Sequence, residues 1–351
     1  MKAALVTMNV KAGQCAENVQ YMKQQIKRAK EDGADLIVFP QNAVSGYLLG
    51  DVWLDEDFCR YADSFNDELI RESEDIAIVW GNIRYRNRRR FNAAFFAYQK
   101  KTHMRVKQNE LLPYMQDALY FEENPINSAI EYKEDMVFAL NFGDEIQLAD
   151  MNINLDARPY DMQKAYHPHG NVIYVNACGM QNMDHSVMLM EGGSCVLRNG
   201  KCLYQAPYFQ EDYALVDLAS QKEDNEKPRS LLAALTMGIQ QFDAQVFAGK
   251  LPWIVGMSGG LDSSVTAALL VYALGKQRVY GYNLATRHNR DITKSNARQE
   301  AQALGIAYRE GAIEALVEAT ETTLLQEYGY DVKQYLGKRK FAGQSKRLFI
   351  K

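Results

Sequence analysis

Residues 253–264 read Trp253-Ile254-Val255-Gly256-Met257-Ser258-Gly259-Gly260-Leu261-Asp262-Ser263-Ser264. The apolar run Trp253–Val255 predicts a strand, and VTAALLVYALG, ending at Gly275, predicts a helix. Glycine and serine fill the turn between them. Glycine lets a backbone approach phosphate without a Cβ in the way, and the first amides of a helix have no acceptor inside it. The pattern therefore suits a pyrophosphate, with Gly256, Ser258, Gly259, Gly260, Asp262, Ser263 and Ser264 as candidate binding residues. Asp262 would repel phosphate unless a magnesium ion or a cap on the helix start accounts for it; Asp262 is thus the candidate metal ligand. The segment is neither GxGxxG nor GxxxxGK(S/T).

Outward from this turn the chain alternates. LLAALTMGIQQF precedes it as a helix; VYGYNL follows as a strand, then DITKSNARQEAQALG as a helix ending at Gly305, and a further helix is expected from Ile313 to Leu325. That is a doubly wound α/β pattern. Toward the amino terminus, a strand at 2–8, a helix carrying Val19, Met22, Ile26 and Ala29, a break at Gly33 and the strand DLIVFP (Asp35–Pro40) make a βα unit of a parallel or mixed sheet. AIVWGNI and AAFFAY flank the arginine-rich turn RYRNRRR (Arg84–Arg90) as a hairpin. MVFALNF and VIYVNA add strands, Asn199-Gly200 is a hairpin turn, and YALVDL (Tyr213–Leu218) is a last strand. The polar stretch SQKEDNEKPRS (Ser220–Ser230) interrupts the pattern. The expected division is a domain at 1–220, a linker at 221–235 and a second domain at 236–351.

The 351 residues carry 40 basic and 44 acidic side chains, a net charge of -4, and 47% are hydrophobic. This excludes a mostly disordered chain and gives no reason to expect a general nucleic-acid binder. Residues 1–235 hold 25 basic and 34 acidic groups, and residues 236–351 hold 15 and 10. Seven lysines and arginines follow Asp331 with no later acid, a tail that reads as a solvated terminus or as a contact for phosphate or RNA. Five widely spaced cysteines without a CxxC pair argue against a disulfide framework or a structural zinc site. The start reads as a strand and not a signal peptide, and no apolar run spans a membrane, so a cytoplasmic location is expected. His167 and His169 lack residues to complete a metal shell, and His185 and His288 lack triad partners.

The loop resembles the pyrophosphate loop of ATP-cleaving enzymes that adenylate a carboxylate or carbonyl oxygen. With its flanks, IVGMSGGLDSSVTAALLVYALGKQRVYGYNL and DITKSNARQEAQALGI, it is most similar to the NAD synthetase family. The resemblance implies that Tyr282, Asn283 and Leu284 line an ATP pocket, although the family's Met-Pro-Ser type segment is replaced by Asn283-Leu284-Ala285-Thr286-Arg287; Arg287 would assist phosphate or face solvent. The amino-terminal half resembles the nitrilase-type glutaminase domain fused ahead of many such synthetases, through GADLIVFP, SGY with Asp51, and the block from Val172 to Asp212. Together these imply a nitrilase-like αββα sandwich followed by a partial Rossmann-like adenine-nucleotide α-hydrolase domain. ATP and Mg2+ are the implied cofactors.

That amino-terminal domain is expected to hydrolyse an amide with a cysteine nucleophile, a glutamate base and a lysine that stabilises the oxyanion. The residues at the matching positions depart from this. Gln41 stands after Pro40 where the base belongs, Lys107 is the nearest lysine, and Gly143 falls at the nucleophile. Arg158 replaces a small residue near the pocket, and Cys178 reads as a buried apolar residue. The resemblance also implies a Glu-Asn-x-Gln-Ala-Arg helix and a Thr-Gly-Asn-Lys-Ser-Glu segment, and neither occurs. The expected function is NAD+ synthesis from nicotinic acid adenine dinucleotide, ATP and glutamine or ammonia by descent, with glutaminase activity lost. The alternatives are a noncatalytic nucleotide-binding subunit, as a homo-oligomer or paired with an intact homologue, and a gene-fragment product without selected function.

Overall fold

The computed structural model describes residues 1–112, 115–123, 130–132, 136–164, 167–183, 186–285 and 291–329. The chain divides into two compact units, Met1–Gln245 and Val246–Lys351.

The first unit opens with β1 (Lys2–Thr7) and α1 (Cys15–Glu31). Helix α1 buries Cys15, Val19, Met22, Ile26 and Ala29, a stripe at helical spacing, and Gly33 at φ +71 follows it. Strand β2 (Leu36–Val38) pairs parallel to β1, as the βα reading requires. Helix α2 (Glu56–Glu72) is capped by Asp55, whose carboxylate accepts from the Asp57 and Phe58 amides. β3 (Ala77–Arg86) and β4 (Arg89–Tyr98) make the hairpin, turning through Asn87 and Arg88, both at positive φ. β5 (Lys101–Val106) extends it, and β6 (Leu111–Leu112) pairs with β7 (Met115–Gln116). There follow β8 (Ile130–Tyr132), β9 (Met136–Phe142), β10 (Met151–Asp156), β11 (Val172–Asn176), the antiparallel pair β12 (Cys178–Met183) and β13 (Ser186–Glu191), then β14 (Cys195–Arg198), β15 (Lys201–Gln205) and β16 (Asp212–Asp217).

Two six-stranded sheets result, in the orders β16-β1-β2-β3-β4-β5 and β15-β14-β11-β10-β9-β8. Leu5, Val38, Val79 and Phe96 of one sheet pack with Phe138, Leu140, Ile153 and Val175 of the other. The opposite face of the first sheet, with Ile37, Ile78 and Trp80, is closed by Met22 and Ile26 of α1 and Leu69 of α2. Strands β9 and β10 are parallel neighbours, yet residues 143–150 join them without a helix. A crossover this short is unusual, and asparagines hold it in place. Asn154 Nδ2 donates to the Gly143 and Glu145 carbonyls at 2.9 and 2.7 Å, Asn152 Oδ1 accepts from the Gln147 amide at 2.9 Å, and Asn141 Oδ1 accepts from Gln147 Nε2 at 2.6 Å. Arg105 adds an ion pair to Glu145 at 2.6 Å.

Helix α3 (Leu231–Phe247) packs its first turns, through Ala234 and Met237, on Phe209, Tyr160, Leu189 and Tyr208. The second unit comprises β17 (Trp253–Gly256), α4 (Leu261–Leu274), β18 (Val279–Ala285), α5 (Asp291–Leu304), β19 (Ala307–Ala312) and α6 (Glu314–Tyr328). Its sheet is parallel in the order β17-β18-β19. Strand β17 therefore forms an edge among the described residues, and Ile254 on it is 69% exposed. Arg287, His288, His185 and the basic tail after Asp331 lie outside the described residues.

Candidate functional site

The phosphate loop leaves β17 at Gly256, which lies in register with Tyr282 of β18, and the Met257 amide donates to the Tyr282 carbonyl at 2.7 Å. Gly259 adopts φ +74, and a Cβ there would lie 1.9 Å from the Thr293 carbonyl oxygen. The loop thus closes against the start of α5 in a way only glycine permits. Gly260 is the N-cap of α4 and has an ordinary φ of -102. The cap explanation for Asp262 does not hold: no side chain caps α4, and Asp262 sits in its first turn with an exposed carboxylate.

The serines satisfy the loop internally. Ser263 Oγ accepts from the Ser258 amide at 3.2 Å and donates to the Gly260 carbonyl at 3.0 Å; Ser258 Oγ accepts from the Gly260 amide at 3.3 Å. Two of these bonds are long, so phosphate oxygens can replace them at small cost. The amides of Leu261, Asp262 and Ser263, the first of the helix, have no intrahelical acceptor and carry the positive end of its dipole. A cavity of about 470 Å³ lies beside the loop, lined by Ile254, Gly256, Met257, Ser258, Tyr282, Asn283 and Leu284. Gly256 has nothing within 4 Å of where its Cβ would be, and Asn283 is buried with Nδ2 lacking a hydrogen-bond partner. Room beside the glycine, an unsatisfied buried amide and free helix amides fit a nucleotide. Ile254 and Met257 belong to this lining and were not legible as such, because lining depends on neighbouring strands and not on local pattern.

In the first unit, Gln41 is buried; its amide donates to the Asp156 carbonyl at 3.2 Å and its Nε2 has no partner. Gly143 turns the chain at φ +55 directly after β9, and its amide donates to the Leu155 carbonyl. A Cβ on Gly143 would meet Arg158 Nη2 at 3.3 Å and Asp156 Oδ2 at 3.9 Å. Asp156 in turn pairs with Arg158 Nε at 2.8 Å and accepts from Tyr174 Oη at 2.9 Å. The strand end at Asp156 thus touches both Gln41 and Gly143.

Lys107 is held by a different set of partners. Its Nζ lies 2.9 Å from Asp117 Oδ2 and 3.2 Å from Tyr47 Oη, while Tyr47 donates to Asp117 Oδ1 at 2.7 Å; all three side chains are buried. Its charge is neutralised by Asp117, a partner that no local motif announced. Cys178 is buried, and burial, with Glu211 and Asp212 nearby, holds its thiol well above the usual range, so it is a poor nucleophile. No cluster of three or more metal-binding side chains occurs among the described residues. No helix there is long and apolar enough to cross a membrane.

Comparison with known proteins matches residues 2–101 to the carbon-nitrogen hydrolase family and residues 232–339 to the NAD synthase family. The glutamine-dependent NAD(+) synthetase of Acinetobacter baylyi is 24% identical over 93% of this chain and 66% of its own length. The chain thus spans somewhat less than two thirds of that relative. An NH(3)-dependent NAD(+) synthetase from Pyrobaculum aerophilum is 37% identical over 29% of this chain and 36% of its own length. Among solved structures, a glutamine-dependent NAD+ synthetase from Acinetobacter baumannii in complex with ADP superposes with a TM-score of 0.79 at 24% identity, covering 93% of this chain and 68% of that one. A nitrilase-superfamily amidase from Nesterenkonia AN1 gives 0.53 at 17% identity, covering 62% of this chain and 90% of that one.

Proposed function

The chain belongs to the family of glutamine-dependent NAD+ synthetases, in which a nitrilase-like domain precedes an NAD synthase domain, and on that premise we propose that it binds ATP in its second domain but does not hydrolyse glutamine. The observation that carries this reading is the pairing of the α4 amides and Gly256 with the 470 Å³ cavity in one domain, against Gln41 and Gly143 in the other. When bound, ATP supplies an activated phosphoryl centre for adenylation of nicotinic acid adenine dinucleotide. Within this reading, the amides of Leu261, Asp262 and Ser263 and the hydroxyls of Ser258, Ser263 and Ser264 hold the phosphates. Tyr282, Asn283 and Leu284 flank the base, and the Asp262 carboxylate holds Mg2+. The stretch 221–235 is proposed as the junction of the two domains, in keeping with an NAD synthase match that begins at residue 232.

In the first domain a neutral amide at 41 has no proton-accepting capacity of a carboxylate, and glycine at 143 has no nucleophile. A second reading, a nucleotide-binding subunit that pairs with an intact homologue, is favoured by the uncovered edge of β17 and its exposed Ile254. The test is to incubate the purified chain with nicotinic acid adenine dinucleotide, ATP and Mg2+, adding either glutamine or ammonia. We expect no ammonia from glutamine and little NAD from either donor. Steady ammonia release from glutamine contradicts the loss of hydrolysis, and rapid NAD formation from ammonia contradicts the subunit reading.

A further inference from the structure

The polar composition of residues 220–230 suggests a free linker, but this stretch is pinned to the first unit at two places. The Asp224 amide donates to the Cys202 carbonyl at 2.9 Å, and the Asp224 carboxylate accepts from the Gln205 amide at 3.0 Å. Five residues on, Arg229 turns inward. Its Nε meets Glu191 Oε2 at 2.6 Å, Nη2 donates to the Asp161 carbonyl at 2.6 Å and the Lys164 carbonyl at 3.4 Å, and the guanidinium lies 4.3 Å over the Tyr160 ring. The paired side chains are 15% and 4% exposed, so this is a largely buried ion pair in which Nη2 also donates to two carbonyls. Only the planar fork of arginine makes these contacts together. Ser230 directly precedes α3, and its carbonyl accepts from the Ala234 amide.

We propose that Arg229 is a latch that clamps the 221–230 strap to the nitrilase-like unit through Glu191, so that the chain entering α3 is held and not loosely tethered. Glu191 closes β13, and its amide donates to the Arg158 carbonyl at 3.3 Å. The latch is thus anchored on the strand end beside Gly143.

The side chains of Lys222 and Glu226 are exposed, so protease access to these sites depends on lifting the backbone off the unit and not on unburying the side chains. The test is limited proteolysis of the full chain at pH 8, with trypsin cutting after Lys222 and glutamyl endopeptidase after Glu226. Wild type should resist both, and Arg229→Gln should be cut after Glu226, between the two anchors, at least tenfold faster, with the cut after Lys222, beyond the Asp224 anchor, changed less and no new cuts elsewhere in the first unit. Arg229→Lys keeps the charge but not the fork and should be cut about threefold faster, which keeps the test available if Arg229→Gln fails to fold. Cleavage within twofold of wild type in folded variants overturns the latch. So do cuts spread evenly through the first unit, which would make Arg229 a support of the whole fold.

Discussion

A Cβ on Gly143 would lie 3.3 Å from Nη2 of Arg158, so the space beside the chain turn is occupied by a guanidinium that Asp156 holds at 2.8 Å. On the proposed reading that Gly143 stands at the nucleophile position, Arg158 crowds any side chain placed there. Gly143→Cys alone, or with Gln41→Glu, should therefore release no ammonia from glutamine above the buffer rate. Losing one member of a coupled nucleophilic site costs on the order of 10⁴-fold or more in rate. Iodoacetamide labelling checks the steric cause: the new thiol in Gly143→Cys should label slowly, and adding Arg158→Ser should speed labelling at least tenfold. Equal labelling rates would show that Arg158 does not obstruct the position.

Lys107 and Asp117 form a buried pair with Tyr47. Asp117→Ala leaves the buried ammonium only the half-exposed Glu110 carboxylate at 3.4 Å and should cost about 3 kcal/mol in urea unfolding. Asp117→Leu combined with Lys107→Met removes both charges and should cost clearly less than Asp117→Ala. A double variant as unstable as the sum of its parts would mean that the two residues act independently.

Burial pushes the Glu191 carboxyl up to about 7 from an ordinary 4.5, against the pull of Arg229 and then Arg158, with Asp156 adding to the rise. Tyr208 also faces it. A carboxyl raised on folding takes up a proton, so its contribution to stability is full below 4.5 and is lost as pH rises through about 7. Urea midpoints compared between wild type and Glu191→Gln should differ in slope across that window, with the variant flatter. Parallel curves would place the titration on another group.

Much of this architecture was legible. The periodicity of Val19, Met22, Ile26 and Ala29, the Asn199-Gly200 turn and the strand–loop–helix at 253–274 are local signals, and the chain forms each where expected. Helix α2 was missed although Asp55 caps it and Cys59, Ala62, Phe65 and Leu69 make its buried stripe. Its many acidic residues masked the pattern. β10 and β12 were not read as strands, since asparagine in both and glycine in β12 weaken the β signal. The partners of Lys107 and Arg158, Asp117 and Asp156, are fixed by tertiary packing. The sequence treats Gly259 and Gly260 alike, but Gly259 is the position that cannot accept a side chain.

Gly259→Ala should thus strain the loop against Thr293 and weaken ATP binding by at least tenfold, while Gly260→Ala, with only Ser258 Oγ at 3.4 Å, should change it by less than threefold. Calorimetric titration of both variants with ATP checks the order, and equal effects would reject the close approach as its cause.

The central claim, a retained nucleotide site beside the α4 amides, is tested most directly by titrating the folded chain with ATP in the presence of Mg2+ by calorimetry. Wild type should give saturable heat. Gly256→Val, whose Cβ would have no neighbour within 4 Å and would stand at the cavity wall, should lose that heat while keeping the wild-type thermal midpoint. A folded wild-type chain that gives no saturable heat, or a Gly256→Val chain that binds as wild type does, would contradict the account.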